Sequence, residues 1–192
     1  MNAETPIGPY VRPAIPDDAE DIATVHVKGW QEAYVGQLSQ HVLDRQSVPV
    51  RLRSWQGLLQ EPPAGRWTFV AVDPACGIVG FAGGIRAKPA MFGPMFKIPV
   101  LYVLQSHLRQ GLGHKLMRAL GSAMAQQGSG EVGLWSLASN RTARKFYEAI
   151  GGRLAGALVE KDQGRAISLA QRRGAGAFHV KHSARRPASA AT

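Results

Sequence analysis

The stretch LYVLQSHLRQGLGHKL at residues 101–116 constrains this chain more than any other. The apolar run before it, IPVLYVLQ over 98–105, reads as a buried strand. It leads through Gly111-Leu112-Gly113 into a helix expected over about 111–126, because Leu112, Leu116, Leu120 and Met124 recur every four residues. Glycines at such a junction let the backbone come close to a ligand, and the first helical N–H groups have no intrahelical acceptor. With the positive end of the helix dipole, those N–H groups form an anion site suited to a pyrophosphate. Arg109, His107, His114 and Lys115 add charge at its rim, while Gln110 and Leu112 contribute backbone. A bare Gly-x-Gly serves equally as a plain strand-to-helix turn. The segment is neither a P-loop nor a dinucleotide fingerprint, since the Gly-Lys-Ser/Thr ending and the third glycine are missing.

The rest of the chain alternates strands and helices without an internal repeat. Strands are expected over 9–15, 67–72, 77–85, 98–105, 131–137, 153–160 and 164–170, and helices over 16–30, 37–60, 111–126 and 140–150. Asp17 as N-cap with Glu20 three residues on reads as a capping box for the first helix. The pattern is α/β, with helices around a mixed sheet. The 192 residues are 45% hydrophobic and 19% charged, which fits one core-bearing domain and no separate linker. No run approaches the roughly 18 apolar residues of a membrane span. The N-terminus has no secretory pattern, so a reducing, cytoplasmic setting is expected. Cys76 is the only cysteine, which rules out an intrachain disulfide and a cysteine-built zinc site, and no metal is expected. It sits in a Pro-Ala-Cys-Gly turn with no sequence partner that would make it a nucleophile.

The net charge of +10 divides evenly. Residues 172–192 hold Arg172, Arg173, Lys181, Arg185 and Arg186 and no acid, half of the total. This Ala-, Gly- and Ser-rich segment is expected as a basic disordered tail beyond a domain at 1–171. A solvated end explains it most simply, and weak, salt-dependent nucleic-acid contact is the competing role. The loop RAKPAMFGPMFK at 86–97 shows Met91, Phe92, Met95 and Phe96, as an apolar lid, a dimer contact or ordinary packing.

A second motif follows the strand at 131–137: Asn140, Ala143, Phe146, Tyr147 and the pair Gly151-Gly152. Together with the Gly111–Gly113 junction and the opening VRPAIPDDAEDIATVHVKGWQEAY, it resembles the GNAT superfamily of acyl-CoA-dependent N-acetyltransferases over roughly residues 10–170. The resemblance implies a mixed, mostly antiparallel central sheet of about seven strands flanked by four helices. It implies acetyl-CoA as cosubstrate, with the pantetheine arm in a gap between splayed fourth and fifth strands, paired to backbone at Val103 and Gln105. The pyrophosphate then meets residues 109–114, Asn140 contacts the pantetheine, and Tyr147 is the acid that protonates the departing thiolate. Without the resemblance, Tyr147 reads equally as a core aromatic with its hydroxyl tied to backbone.

Two positions depart from the family pattern. Leu108 stands where Gln or Arg usually precedes the glycines, and Lys97 stands where many relatives carry a Glu that deprotonates the amine. A protonated amine cannot attack a thioester, so the base is missing from its usual place. His26 is a substitute, although a helix histidine among apolar neighbours is more often structural; Glu32 and Tyr34 are candidates for the acceptor cleft. The expected function is acetyl transfer to a primary amine of a small molecule or peptide by direct attack, through a tetrahedral intermediate polarised near Val103. The alternative is a non-catalytic acyl-CoA-binding module that lost its base. No membrane partner is expected, and a monomer or homodimer fits either function.

Overall fold

A computed structural model of the chain describes residues 7–87, 95–128, 130–160 and 164–172, with the last strands described by backbone alone from Ala157 onward. The order is β1 (Tyr10–Pro13), α1 (Ala19–Tyr34), α2 (Gln40–Asp44), α3 (Val48–Gln60), β2 (Arg66–Asp73), β3 (Gly77–Arg86), β4 (Phe96–Val103), α4 (Leu112–Gln126), β5 (Glu131–Leu137), α5 (Arg141–Ala149), β6 (Arg153–Glu160) and β7 (Gly164–Arg172). The strands form one sheet in the order β1-β2-β3-β4-β5-β7-β6. Every neighbouring pair is antiparallel except β4 and β5, which run parallel. The mixed, mostly antiparallel α/β architecture is the expected one.

Helices cover both faces. On one face α4 lays Leu112, Leu116, Leu120 and Met124, all fully buried, against Ala82, Phe96 and Ile98 of the sheet and Tyr147 of α5. On the other, Ile22 and Ala23 of α1 and Trp55 and Leu59 of α3 pack on Val70 and Phe81. Each fully buried leucine contributes about 1.5–3 kcal/mol through the apolar area removed from water.

Three local expectations are corrected. The single helix over 37–60 is two, α2 and α3, which makes five α-helices among the described residues rather than four. Pro49 has no N–H and fits only the first turn of α3, so the helix restarts there with Ser47 as N-cap. The capping box does not form: Pro16–Asp18 is a 3-10 turn and α1 begins at Ala19. The buried Asp18 carboxylate instead takes both guanidinium arms of Arg12 from β1, at 2.6 and 2.8 Å, and the Ile15 N–H at 2.8 Å. Burial alone would raise its pKa, but the bonds from Arg12 and Ile15 outweigh that and hold the carboxyl below its usual range. β4 begins two residues earlier than expected and takes in Phe96, which is core rather than an exposed loop aromatic. Met91 and Phe92 of that loop, and the tail from Arg173 onward, lie outside the described residues.

The β3–β4 register slips by one residue between the pairs Ile85↔Lys97 and Gly83↔Val100. Ile98 and Pro99 therefore oppose the single residue Gly84, a β-bulge that also accommodates the missing N–H of Pro99. The bulge bends β4, and the β4–β5 ladder ends beside it, after Phe96↔Val132 and Lys97↔Gly133.

His26 belongs to the second core. It is 8% exposed, its Nδ1 accepts the Trp55 Nε1–H at 3.2 Å, and its ring lies 5.3 Å from that of Phe81 and 5.4 Å from that of Tyr102. Burial, reinforced by the nearby Arg51 charge, pushes its pKa down to about 3. An unfolded histidine takes up its proton near pH 6.5, so below that value protons favour the unfolded chain and stability falls with pH. Between about pH 7 and pH 5 the chain is expected to lose about 2 kcal/mol through His26. Urea unfolding across this range checks it: His26→Gln should start lower and show a much flatter profile.

Candidate active site

Past Lys97, β4 and β5 have parted, so one edge of β4 is open. The phase of the β3–β4 ladder fixes which residues face that edge. Leu104 N–H donates to the Val79 carbonyl at 2.9 Å, so in antiparallel pairing residues 100, 102 and 104 bond toward β3. The backbone polar groups of Leu101 and Val103 consequently point to the side that β5 has left. Gln105 is in the same phase, but its N–H donates to Glu32 Oε2 of α1 at 2.8 Å and its carbonyl accepts from Leu108 N at 3.3 Å. Of the two backbone positions expected to meet a pantetheine, Val103 is open and Gln105 has its N–H held by Glu32.

The open edge leads to the start of α4. Among the described residues, none of the N–H groups of Arg109, Gln110, Gly111, Leu112, Gly113 and His114 has an intrachain acceptor; the first amide of this region to find one is that of Lys115, bonded to the Gly111 carbonyl at 3.0 Å. Two left-handed residues, Arg109 at φ 66° and Gly111 at φ 77°, curl this segment so that successive N–H groups converge, a geometry that suits an anion. Open space lies where a Gly111 side chain would be. Gly113 has a different reason to be glycine: a Cβ there would lie 3.1 Å from the Phe146 ring, so its absence lets α5 pack against the first turn of α4. His114 meets Phe146 edge-on at 5.4 Å. Two expected rim cations point elsewhere: Lys115 Nζ donates to the Pro9 carbonyl at 2.8 Å, and His107 faces Asp73.

Across the gap, Asn140 caps α5, its Oδ1 accepting the Ala143 N–H at 3.0 Å. Burial raises the Tyr34 pKa, and the neighbouring Tyr102 hydroxyl and Asn140 amide partly oppose that shift. Tyr147 belongs to the same cluster: it is buried, lies within electrostatic reach of Tyr34 and Tyr102, and its hydroxyl has no hydrogen-bond partner among the described residues. Burial, then Tyr34, raises the Tyr147 pKa above that of a free phenol, so the group stays protonated at neutral pH and can act as a donor. Tyr102 had no role in the sequence reading. It reaches the cluster because Gly29 on α1 leaves room for its ring, 3.0 Å from where a Cβ would sit. Trp30 stacks edge-on with Tyr34 at 4.6 Å, and its Nε1 is buried without a partner. Lys97 is exposed on β4, and His26 has its Nδ1 occupied by Trp55, so neither is placed as a base. Cys76 does have a neighbour, His107 Nε2 at 3.6 Å, which no linear spacing announces.

The model of the acetyltransferase (GNAT) family matches residues 29–152, from late α1 to the end of α5. The chain is 28% identical over 144 residues to the Mycobacterium tuberculosis protein named "Probable N-acetyltransferase Rv2775", covering 72% of this chain and 76% of that one. It is also 28% identical over 142 residues to the Bacillus subtilis "Uncharacterized N-acetyltransferase YuaI", covering 72% and 77%. The PaiA N-acetyltransferase of Thermoplasma acidophilum, solved in complex with coenzyme A, superposes with a TM-score of 0.65 at 15% identity over 83% of this chain and 97% of its own. The family match over residues 29–152, well over half of the chain, makes this chain a member of the GNAT acetyltransferase family.

Proposed function

We propose that the chain transfers an acetyl group from acetyl-CoA to a primary amine by direct attack, and that residues 1–171 carry the activity. The six N–H groups over 109–114 without an intrachain acceptor carry this reading: those of Gly111–His114 are the free donors of a helix start, and Arg109 and Gln110 add two more beside them, so an anion would find a run of donors in one place. These amides would hold the pyrophosphate, the Val103 backbone would pair with the pantetheine, and Asn140 would approach it from α5. Acetyl-CoA supplies a thioester whose acyl carbon is open to the amine and whose sulfur departs as thiolate. The Val103 N–H, on the open edge, would polarise the carbonyl oxygen as charge builds there. Tyr147 would donate its free hydroxyl to the departing sulfur.

No carboxylate stands on β4 where the amine would lose its proton, so this chain leaves that step to solvent and to the acceptor itself. The rate with a saturating cosubstrate should then rise about tenfold per pH unit up to the acceptor's own pKa, with no earlier plateau set by a protein carboxylate. Thiol release across a pH series, repeated with amines of different basicity, tests this.

Acetyl-CoA and CoA should each raise the thermal midpoint by several degrees, and ATP and NAD should not. If neither CoA compound does, the α4 amides are only a turn and this reading falls. If both do but no amine supports thiol release, the chain is an acyl-CoA-binding module without turnover. Tyr147→Phe should lower kcat by about 100-fold or more while the midpoint shift with CoA is retained. Gly111→Ala forces an L side chain into a left-handed conformation and should cost about 1–2 kcal/mol of stability, with Gly111→Asn costing less. Denaturant unfolding of the two variants side by side checks the difference.

A further inference from the structure

Away from the cleft, three chemically different side chains converge at the closed end of the β2–β3 hairpin. Asp73 ends β2, Cys76 lies in the turn, and His107 belongs to the 3-10 turn that follows β4. His107 Nε2 is 3.2 Å from Asp73 Oδ2 and 3.6 Å from Cys76 Sγ, and the three atoms all lie within 4.8 Å of one another. A tetrahedral centre with bonds of about 2.0–2.3 Å separates its ligand atoms by about 3.3–3.8 Å, so small side-chain rotations suffice to share one ion.

Two of the three groups are already oriented from behind. Asp73 Oδ1 accepts the Ala75 N–H at 2.8 Å, which turns Oδ2 toward His107. His107 Nδ1 is bonded to Ser106 Oγ at 2.8 Å, which aims Nε2 at the other two groups. Metal-bound histidines and carboxylates are held in this manner by a second layer of hydrogen bonds. Cys76 is exposed, so a fourth position is open to water.

The geometry points to a divalent zinc-type metal site formed by Asp73, Cys76 and His107. Thiolate and imidazole donors favour Zn2+ over Mg2+ or Ca2+, which prefer oxygen alone. The expectation of no metal rests on the cysteine count; this site needs a single cysteine because the β2–β3–β4 meander brings a histidine from 31 residues away in sequence beside it. Binding displaces the thiol proton to solvent and forms Zn–S, Zn–N and Zn–O bonds with no change of oxidation state. An occupied site ties the His107 turn, two residues before Arg109, to the hairpin. The inference does not depend on the proposed acetyl transfer and is tested without coenzyme A.

Co2+ serves as a coloured probe for the full chain, free of coenzyme A and chelators. One equivalent should bind with the intense visible absorption of a tetrahedral centre and a thiolate charge-transfer band, and Zn2+ should displace it. Zn2+ alone should raise the thermal midpoint by several degrees. Cys76→Ser should abolish the charge-transfer band, and His107→Ala should weaken binding at least about tenfold. Ser106→Ala leaves every ligand in place and should still weaken binding about 10- to 100-fold, which keeps the test valid if a ligand variant fails to fold. Failure of the wild-type chain to bind one equivalent overturns the inference. Binding that is unchanged in Cys76→Ser and His107→Ala overturns it equally, since the ion would then lie elsewhere.

Discussion

A parallel ladder that stops after two residue pairs sets up the rest of this molecule. Strands in one sheet normally stay paired for their length, because an open edge inside a sheet leaves backbone donors and acceptors unsatisfied. Here the β-bulge at Ile98–Pro99 bends β4 just as the ladder ends, and proline tolerates the position because a bulge asks for no N–H. The open edge at Leu101 and Val103 and the α4 amides at 109–114 are consecutive along the chain. A long ligand carrying amides at one end and phosphate at the other, as proposed, would find matching backbone partners in that order.

Side chains matter more on the opposite wall. Tyr34, Tyr102 and Tyr147 come from a helix, a strand and another helix, and each has its pKa raised chiefly by burial. Phenols kept protonated in this way offer donors without introducing charge, which would suit the proposed transfer, in which a thiolate leaves and a neutral amine arrives. The same preference for neutral groups extends to His26, whose burial beneath the cluster keeps it uncharged at physiological pH. The one carboxylate that reaches the cleft region from α1, Glu32, is spent on the Gln105 N–H.

Legibility in the sequence followed the range of the interactions involved. The Gly111 turn, the α4 stripe and the Asn140 cap depend on residues a few positions apart, and periodicity and glycine placement display them directly. The break between α2 and α3 was also written in Pro49, although apolar spacing across 37–60 masked it. The capping box at Asp17 and Glu20 fails because Pro16–Asp18 forms a 3-10 turn and α1 starts only at Ala19; the neighbouring Asp18 ties that turn to Arg12 of β1, a long-range pairing that nothing near Asp17 or Glu20 signals. Tyr102 joins Tyr34 from 68 positions away, and Cys76 meets His107 only through strand pairing. Such groupings arise from the meander's register, which a single sequence does not print.

The missing side chain at Gly113 has a mechanical consequence. Phe146 rests in the space it leaves, and the next residue on α5 is Tyr147, whose ring touches that of Phe146 at 5.2 Å. The amides that begin α4 and the phenol on α5 are thus joined through one rigid stack rather than through a loop. Aromatic packing of this kind deforms little, so the span between the two is fixed like the jaws of a caliper. Under the proposed function, cosubstrates that differ at the acyl end would have to be accommodated on the α1 side, by Trp30, Tyr34 and their neighbours, because the Gly113–Phe146 side is close-packed.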